Sequence, residues 1–189
     1  KLSLKTRSAD SALADACGLT RDDLDEDRLY EAMDALSGKW PGIEKTLYSE
    51  AFPGGVTLVL YDLTSSYFEG AKNKKLAAYG YSRDHRDDRP QVILALATGA
   101  DGVPIHIEVL KGNRADSKTL LPLLATLRRR FGISKAVFSF DGGMSSALNL
   151  QQMREDELDY VTRLSSSTLQ AILAKLPSDR QPELWDRTE

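Results

Sequence analysis

The 189 residues suffice for one domain of ordinary size with an appendage, and 41% hydrophobic against 28% charged residues is the balance of a soluble globular chain. No apolar run approaches the roughly 20 residues of a membrane span, which leaves no membrane partner to expect, and the single cysteine, Cys17, excludes an internal disulfide framework. The net charge of -3 argues superficially against nucleic acid, yet residues 1–46 hold 7 Lys and Arg against 10 Asp and Glu while the remainder is balanced at 18 of each. With no signal pattern of basic, apolar and small-residue regions visible, the default compartment is the cytoplasm.

The first 46 residues read as helical. "SADSALADACG" closes on Gly18, and "DEDRLYEAMDALSG" carries Leu29, Met33 and Leu36 at i, i+4 and i+7 before Gly38. "KWPGIEK" and then "AFPGG" read as breaks, so a helical region over 1–53 and a main domain over 54–189 are expected. "VTLVLYD" is an apolar run suited to a strand covered on both faces, and "QVILALATGADGVPIHIEVL" gives two further strands around a hairpin. "DSKTLLPLLATLRRRFG" reads as a helix capped by Asp116 or Ser117 and ended by Gly132, followed by the strand "KAVFSFD". "MSSALNLQQMRED" offers a helix with Ala147, Leu148 and Met153 toward the core; "LDYVTRLS" is a last strand before the helical "STLQAILAKL". The chain opens at Lys1 and stops at "ELWDRTE" in what reads as mid-structure, as a fragment of something longer would.

The order βββαβαβ is expected to give an α/β fold whose mixed sheet runs 3-2-1-4-5, with strand 1 beside and parallel to strand 4 through a right-handed crossover. Asp62 and Asp141 follow two apolar strands of the same form, 79 positions apart, and that order makes them neighbours. Two carboxylates held together repel unless a cation lies between them, and hard ions such as Mg²⁺ or Mn²⁺ favour carboxylate oxygens. A pair of such ions can stabilise the attacking and leaving oxygens of a phosphoryl transfer. The bland alternative stays open: one aspartate caps a helix, and the other makes a turn before "GGMSS".

"YDLTSSYFEG", "GYSRDHRDDRPQVILALATGADGVPIHIEVLKGNRADSKTL" and "VFSFDGGMSSALNL" resemble the catalytic domain of bacterial insertion-sequence DDE transposases, in the group whose ribonuclease-H-like domain carries a β-rich insertion. The resemblance covers roughly residues 20–165. It implies that Asp62 and Asp141 are the first two catalytic, metal-binding acids of the triad, and that Mg²⁺ or Mn²⁺ is the cofactor. It further implies that DNA is the partner, as transposon ends and target, and that the full-length protein is a homodimer or larger. The implied chemistry is attack by water, then by the freed 3′ hydroxyl.

The sequence departs from the family at two points. Gly142 follows Asp141 where many relatives carry arginine, and the third acid, a glutamate on a late basic helix, has no match: Tyr160 and Arg163 have the motif's mutual spacing, but Ser167 stands at the glutamate position. Glu155, Glu157 and Glu183 lack the matching context, so the chain alone is expected to be inactive or nearly so. Competing readings are a catalytically inactive DNA-binding or interaction remnant, and a phosphatase using a strand-end aspartate on an all-parallel sheet.

Local basic clusters offer phosphate contacts or solvated faces: Lys72, Lys74 and Lys75; "SRDHRDDR"; and Arg128, Arg129, Arg130 and Lys135. His85, beside Asp84 and Asp87 in a basic loop, offers a contact to DNA or metal but reads first as a solvated side chain, and His106 reads as exposed on its strand. Thr64, Ser65 and Ser66 read as satisfying backbone groups at a strand end, Tyr67 and Phe68 as packing residues, and Cys17 as a small apolar helix residue.

Overall fold

A computed structural model describes residues 12–20, 22–69, 75–81, 86–164 and 166–175. Lys72, Lys74, Asp84, His85 and Glu183 lie outside the described residues. The chain divides into two compact units, Lys1–Glu50 and Ala51–Glu189. No helix among the described residues is long and apolar enough to cross a membrane.

The first unit is helical. Helix α1 (Leu13–Cys17) stops at Gly18, whose φ of 64° is the left-handed conformation that glycine adopts without strain. Cys17 is exposed. Helix α2 (Glu26–Ser37) starts at Asp25, whose carboxylate accepts the Asp27 amide at 3.2 Å. "KWPGIEK" is not a break: it opens helix α3 (Trp40–Ala51). Pro41 falls in the first turn, where a missing N–H deprives no carbonyl, and Trp40 Nε1 donates to buried Glu44 one turn on, at 3.1 Å.

The second unit is a five-stranded sheet of order β3-β2-β1-β4-β5, comprising β1 (Leu58–Tyr67), β2 (Gln91–Thr98), β3 (Pro104–Lys111), β4 (Val137–Phe140) and β5 (Asp159–Thr162). β1, β2 and β3 form an antiparallel meander, while β4 and β5 run parallel to β1. This mixed sheet is the ribonuclease-H-like arrangement the sequence predicts. It also removes the all-parallel sheet that the phosphatase reading needs.

Between β3 and β4 the chain forms a short turn over Asp116–Lys118, then helix α4 (Leu120–Thr126), whose last turn widens to π geometry over Leu127–Phe131 before Gly132 ends it at φ 70°. Neither Asp116 nor Ser117 caps it; Thr119 holds the cap position without a side-chain bond to the helix. Leu120, Leu123, Leu124 and Leu127 repeat on one side and are buried, as are Val59, Tyr61, Leu63, Ala95 and Ala97 on alternate strand positions. Helix α5 (Ala147–Glu155) lies between β4 and β5 in the chain, and helix α6 (Ser166–Leu173) follows β5. The core side of α5 is Asn149 and Met153 rather than Ala147 and Leu148, which are exposed.

β1 is covered on one face, not two. Its burial alternates, and Leu60 on β1, Leu96 on β2, Ile107 and Val109 on β3 and Val161 on β5 all remain exposed. That alternation also corrects His106. It is buried on the helix-covered side, its ring 6.2 Å from that of Phe131 and its Nδ1 3.4 Å from Arg130. The apolar neighbours Ile107 and Val109 point the expectation the wrong way because they belong to the open face.

Leu127 is fully buried, so Leu127→Ala is expected to lower the unfolding free energy by about 2–5 kcal/mol through lost burial and a residual cavity. Urea denaturation followed by circular dichroism checks this; a loss under about 1 kcal/mol would mean that α4 does not anchor the sheet.

Candidate functional site

Asp62 is not at the end of its strand, since β1 continues through Thr64, Ser65 and Ser66 to Tyr67 against β2. It stands where β4 ends. The parallel β1–β4 pairing runs from Leu58↔Val137 to Tyr61↔Phe140, and one residue further on each chain are Asp62 and Asp141. Both are exposed, and both line one cleft of about 360 Å³ with Leu60, Leu96, Thr98 and Ser139. The topology therefore brings the two sequence-predicted acids together.

Each carboxylate accepts the amide of the next residue, Leu63 N at 2.8 Å from Asp62 Oδ1 and Gly142 N at 2.7 Å from Asp141 Oδ1. Among the described residues the second oxygen of each accepts no hydrogen bond. Asp141 also caps the short turn Gly142–Met144, so capping and a role in the cleft are compatible for this side chain. The donor set, two carboxylates on adjacent strands, suits a hard divalent cation. No group of three or more His, Cys, Asp or Glu side chains of metal-binding geometry exists among the described residues, so the pair would leave further positions to water or other oxygens.

The turn that carries Asp141 is built tightly. A Cβ on Gly142 would lie 2.7 Å from the carbonyl oxygen of Arg163, and one on Gly143 would lie 3.1 Å from Asp116 Oδ2. Ser145 Oγ donates to Gly142 O at 2.6 Å, and Ser146 caps α5 by accepting the Asn149 amide at 3.2 Å. Buried Asn149 then donates from Nδ2 to Met144 O at 2.7 Å and to Ser117 O at 2.8 Å, tying the Asp141 turn to the Asp116–Lys118 turn. Sequence reading missed Asn149; a serine three residues ahead of a polar residue early in a helix was the available signal.

The remaining candidates stand apart from the cleft. Thr64 and Ser66 share the exposed face of β1 with Asp62, whereas Ser65 Oγ is buried without a hydrogen-bond partner among the described residues. Glu155 is exposed and accepts from Gln151 at 2.9 Å, and Glu157 sits in a turn with φ 53°; neither lines the cleft. Arg86 lies over the Tyr67 ring, 4.9 Å from its centroid, in keeping with a packing role for that ring. Beneath the cleft, burial pushes the Tyr61 phenol up, opposed in part by a hydrogen bond with Thr119.

Truncating Asn149 to alanine orphans two backbone carbonyls and is expected to cost about 1–3 kcal/mol by chemical denaturation. Gly142→Ala is expected to destabilise as well, because the clash is with backbone. For Tyr61 the sign is set by a folded-state value above the unfolded one. Its contribution is complete below about pH 10 and is lost as pH rises through the folded-state value; Tyr61→Phe should flatten that alkaline loss in a pH series of unfolding curves.

No curated protein matches the sequence. Among solved structures, the Mos1 transposase paired-end complex with left transposon end aligns at TM-score 0.41 and 14% identity, over 83% of this chain and 55% of that one. The piggyBac transposase synaptic complex with hairpin DNA aligns at TM-score 0.45 and 12% identity, over 65% and 26%. The chain thus spans about half the length of the Mos1 chain and about a quarter of the piggyBac chain. Residues 55–187, which hold the whole sheet and both aspartates, match the family described as Transposase DDE domain. The chain belongs to the DDE transposase-domain family.

Proposed function

We propose that this chain is part of a DNA transposase that cuts transposon ends and joins them to target DNA, with Asp62 and Asp141 as its first two acids. The observation that carries the reading is the shared cleft of these two carboxylates, one residue past the last β1–β4 pair, inside a chain of this family. Residues 1–53 are a helical lead-in and 54–189 part of the catalytic domain.

Asp62 and Asp141 hold Mg²⁺ or Mn²⁺, which supplies Lewis-acid stabilisation of the attacking and leaving oxygens of a phosphodiester. The chain's own contribution is placement. β1 and β4 fix the two Cα positions through backbone pairing, and the Leu63 and Gly142 amides hold one oxygen of each carboxylate. The other oxygen of each accepts no hydrogen bond among the described residues, and mutual repulsion of two acids in one cleft favours a cation between them. DNA is the substrate, first hydrolysed and then joined through a 3′ hydroxyl, and the working protein is a homodimer or larger assembly.

Isothermal titration with Mn²⁺ tests the metal reading. Asp62→Asn and Asp141→Asn should each weaken binding by about tenfold or more, since each removes half of the charged donor set. Equal Mn²⁺ affinity in all three proteins would sink the assignment.

A further inference from the structure

The register that joins Asp62 to Asp141 continues one strand further. β4 and β5 pair in parallel from Val137↔Asp159 to Phe140↔Thr162, so Arg163 follows the last pair on β5 as Asp141 does on β4. Leu60, Ser139 and Val161 stand in line across β1, β4 and β5. Because side chains alternate along a strand, the positions two residues on, Asp62, Asp141 and Arg163, form a second line on the same face. The approach is close: a Cβ on Gly142 would lie 2.7 Å from Arg163 O and 3.8 Å from Arg163 Cβ.

That approach leaves no room for a side chain at position 142, so the residue packed against the Asp141 turn on this flank is Arg163. The residue is exposed, and no carboxylate among the described residues forms an ion pair with it. A pair of acids alone repels a phosphodiester. An arginine at the next position in that line carries planar, paired N–H donors that match phosphate oxygens.

We infer that Arg163 binds a phosphate oxygen of the DNA strand held at Asp62 and Asp141, so that the strand crosses the ends of β1, β4 and β5 in that order. The inference rests on the transposase reading of the site. Its rival is internal: Arg163 offsets the carboxylates and never touches DNA. The two differ in what Arg163→Ala changes, because loss of an internal counter-charge tightens cation binding while loss of a phosphate contact weakens DNA binding.

The test is fluorescence anisotropy of a labelled duplex oligonucleotide titrated with the chain across a NaCl series in Ca²⁺. Alongside it runs a Mn²⁺ titration of the unaltered chain, Asp62→Asn and Arg163→Ala. Arg163→Ala is expected to weaken DNA binding and to make the slope of log K against log[NaCl] shallower by about 0.9, the value of one phosphate contact. Arg163→Lys should keep most of the slope while losing part of the affinity, since it retains the charge without the fork. DNA affinity and slope unchanged in Arg163→Ala, tighter Mn²⁺ binding without a DNA effect, or no duplex binding by the unaltered chain would each overturn the inference. Mn²⁺ binding undiminished in Asp62→Asn would instead defeat the metal site itself, whatever Arg163 does.

Discussion

The parallel pairing of β1 with β4 is the constraint on which the rest of this structure depends. Asp62 and Asp141 are 79 positions apart, and no local feature of either segment brings them together. What does so is a backbone register that ends at Tyr61↔Phe140, reached by a crossover that first lays down β2 and β3 and then packs α4 on the sheet. The apolar stripe of α4, Leu120, Leu123, Leu124 and Leu127, therefore acts on the site at a distance. It holds in place the sheet whose edge-to-edge register puts two carboxylates in one cleft.

Much of the fold was legible because the signals were periodic. The strand order, the hairpin after β2 and the helix ending at Gly132 all follow from alternation, turn residues and leucine spacing. The failures share a cause. Equating apolar residues with buried ones turns His106 outward and covers β1 on both faces. Leu60, Leu96, Ile107, Val109 and Val161 are apolar and exposed, while polar His106 is buried on β3 with Ile105 and Leu110. The same equation misplaced Leu148, which is exposed, and overlooked Asn149, which is buried and polar. "KWPGIEK" failed for a different reason: proline followed by glycine signals a turn only when it is not at the first turn of a helix, and Pro41 is.

The site was half legible. Residue type and strand pattern singled out Asp62 and Asp141, but the supporting shell is invisible in one dimension. Asn149 acts through carbonyls at Ser117 and Met144 that carry no sequence signal. Gly142 looked like the loss of a side chain from a motif. In three dimensions it is a steric requirement, since the Arg163 carbonyl occupies the space where a Cβ would go. The departure at 142 and the position of Arg163 are thus one fact seen from two strands.

An exposed apolar sheet face beside a pair of acids also bears on how the acids behave. Leu60 and Leu96 line the same cleft as Asp62 and Asp141, beside the hydroxyls of Thr98 and Ser139, so the carboxylates project from a surface of mixed character. Their compensation comes from two backbone amides, Leu63 and Gly142, each of which serves one oxygen. Whatever lies over this face, protein or DNA, lowers the local dielectric and strengthens the attraction of both acids for a cation. Covering the face and placing a cation between the acids would therefore be coupled, each favouring the other across the same few residues.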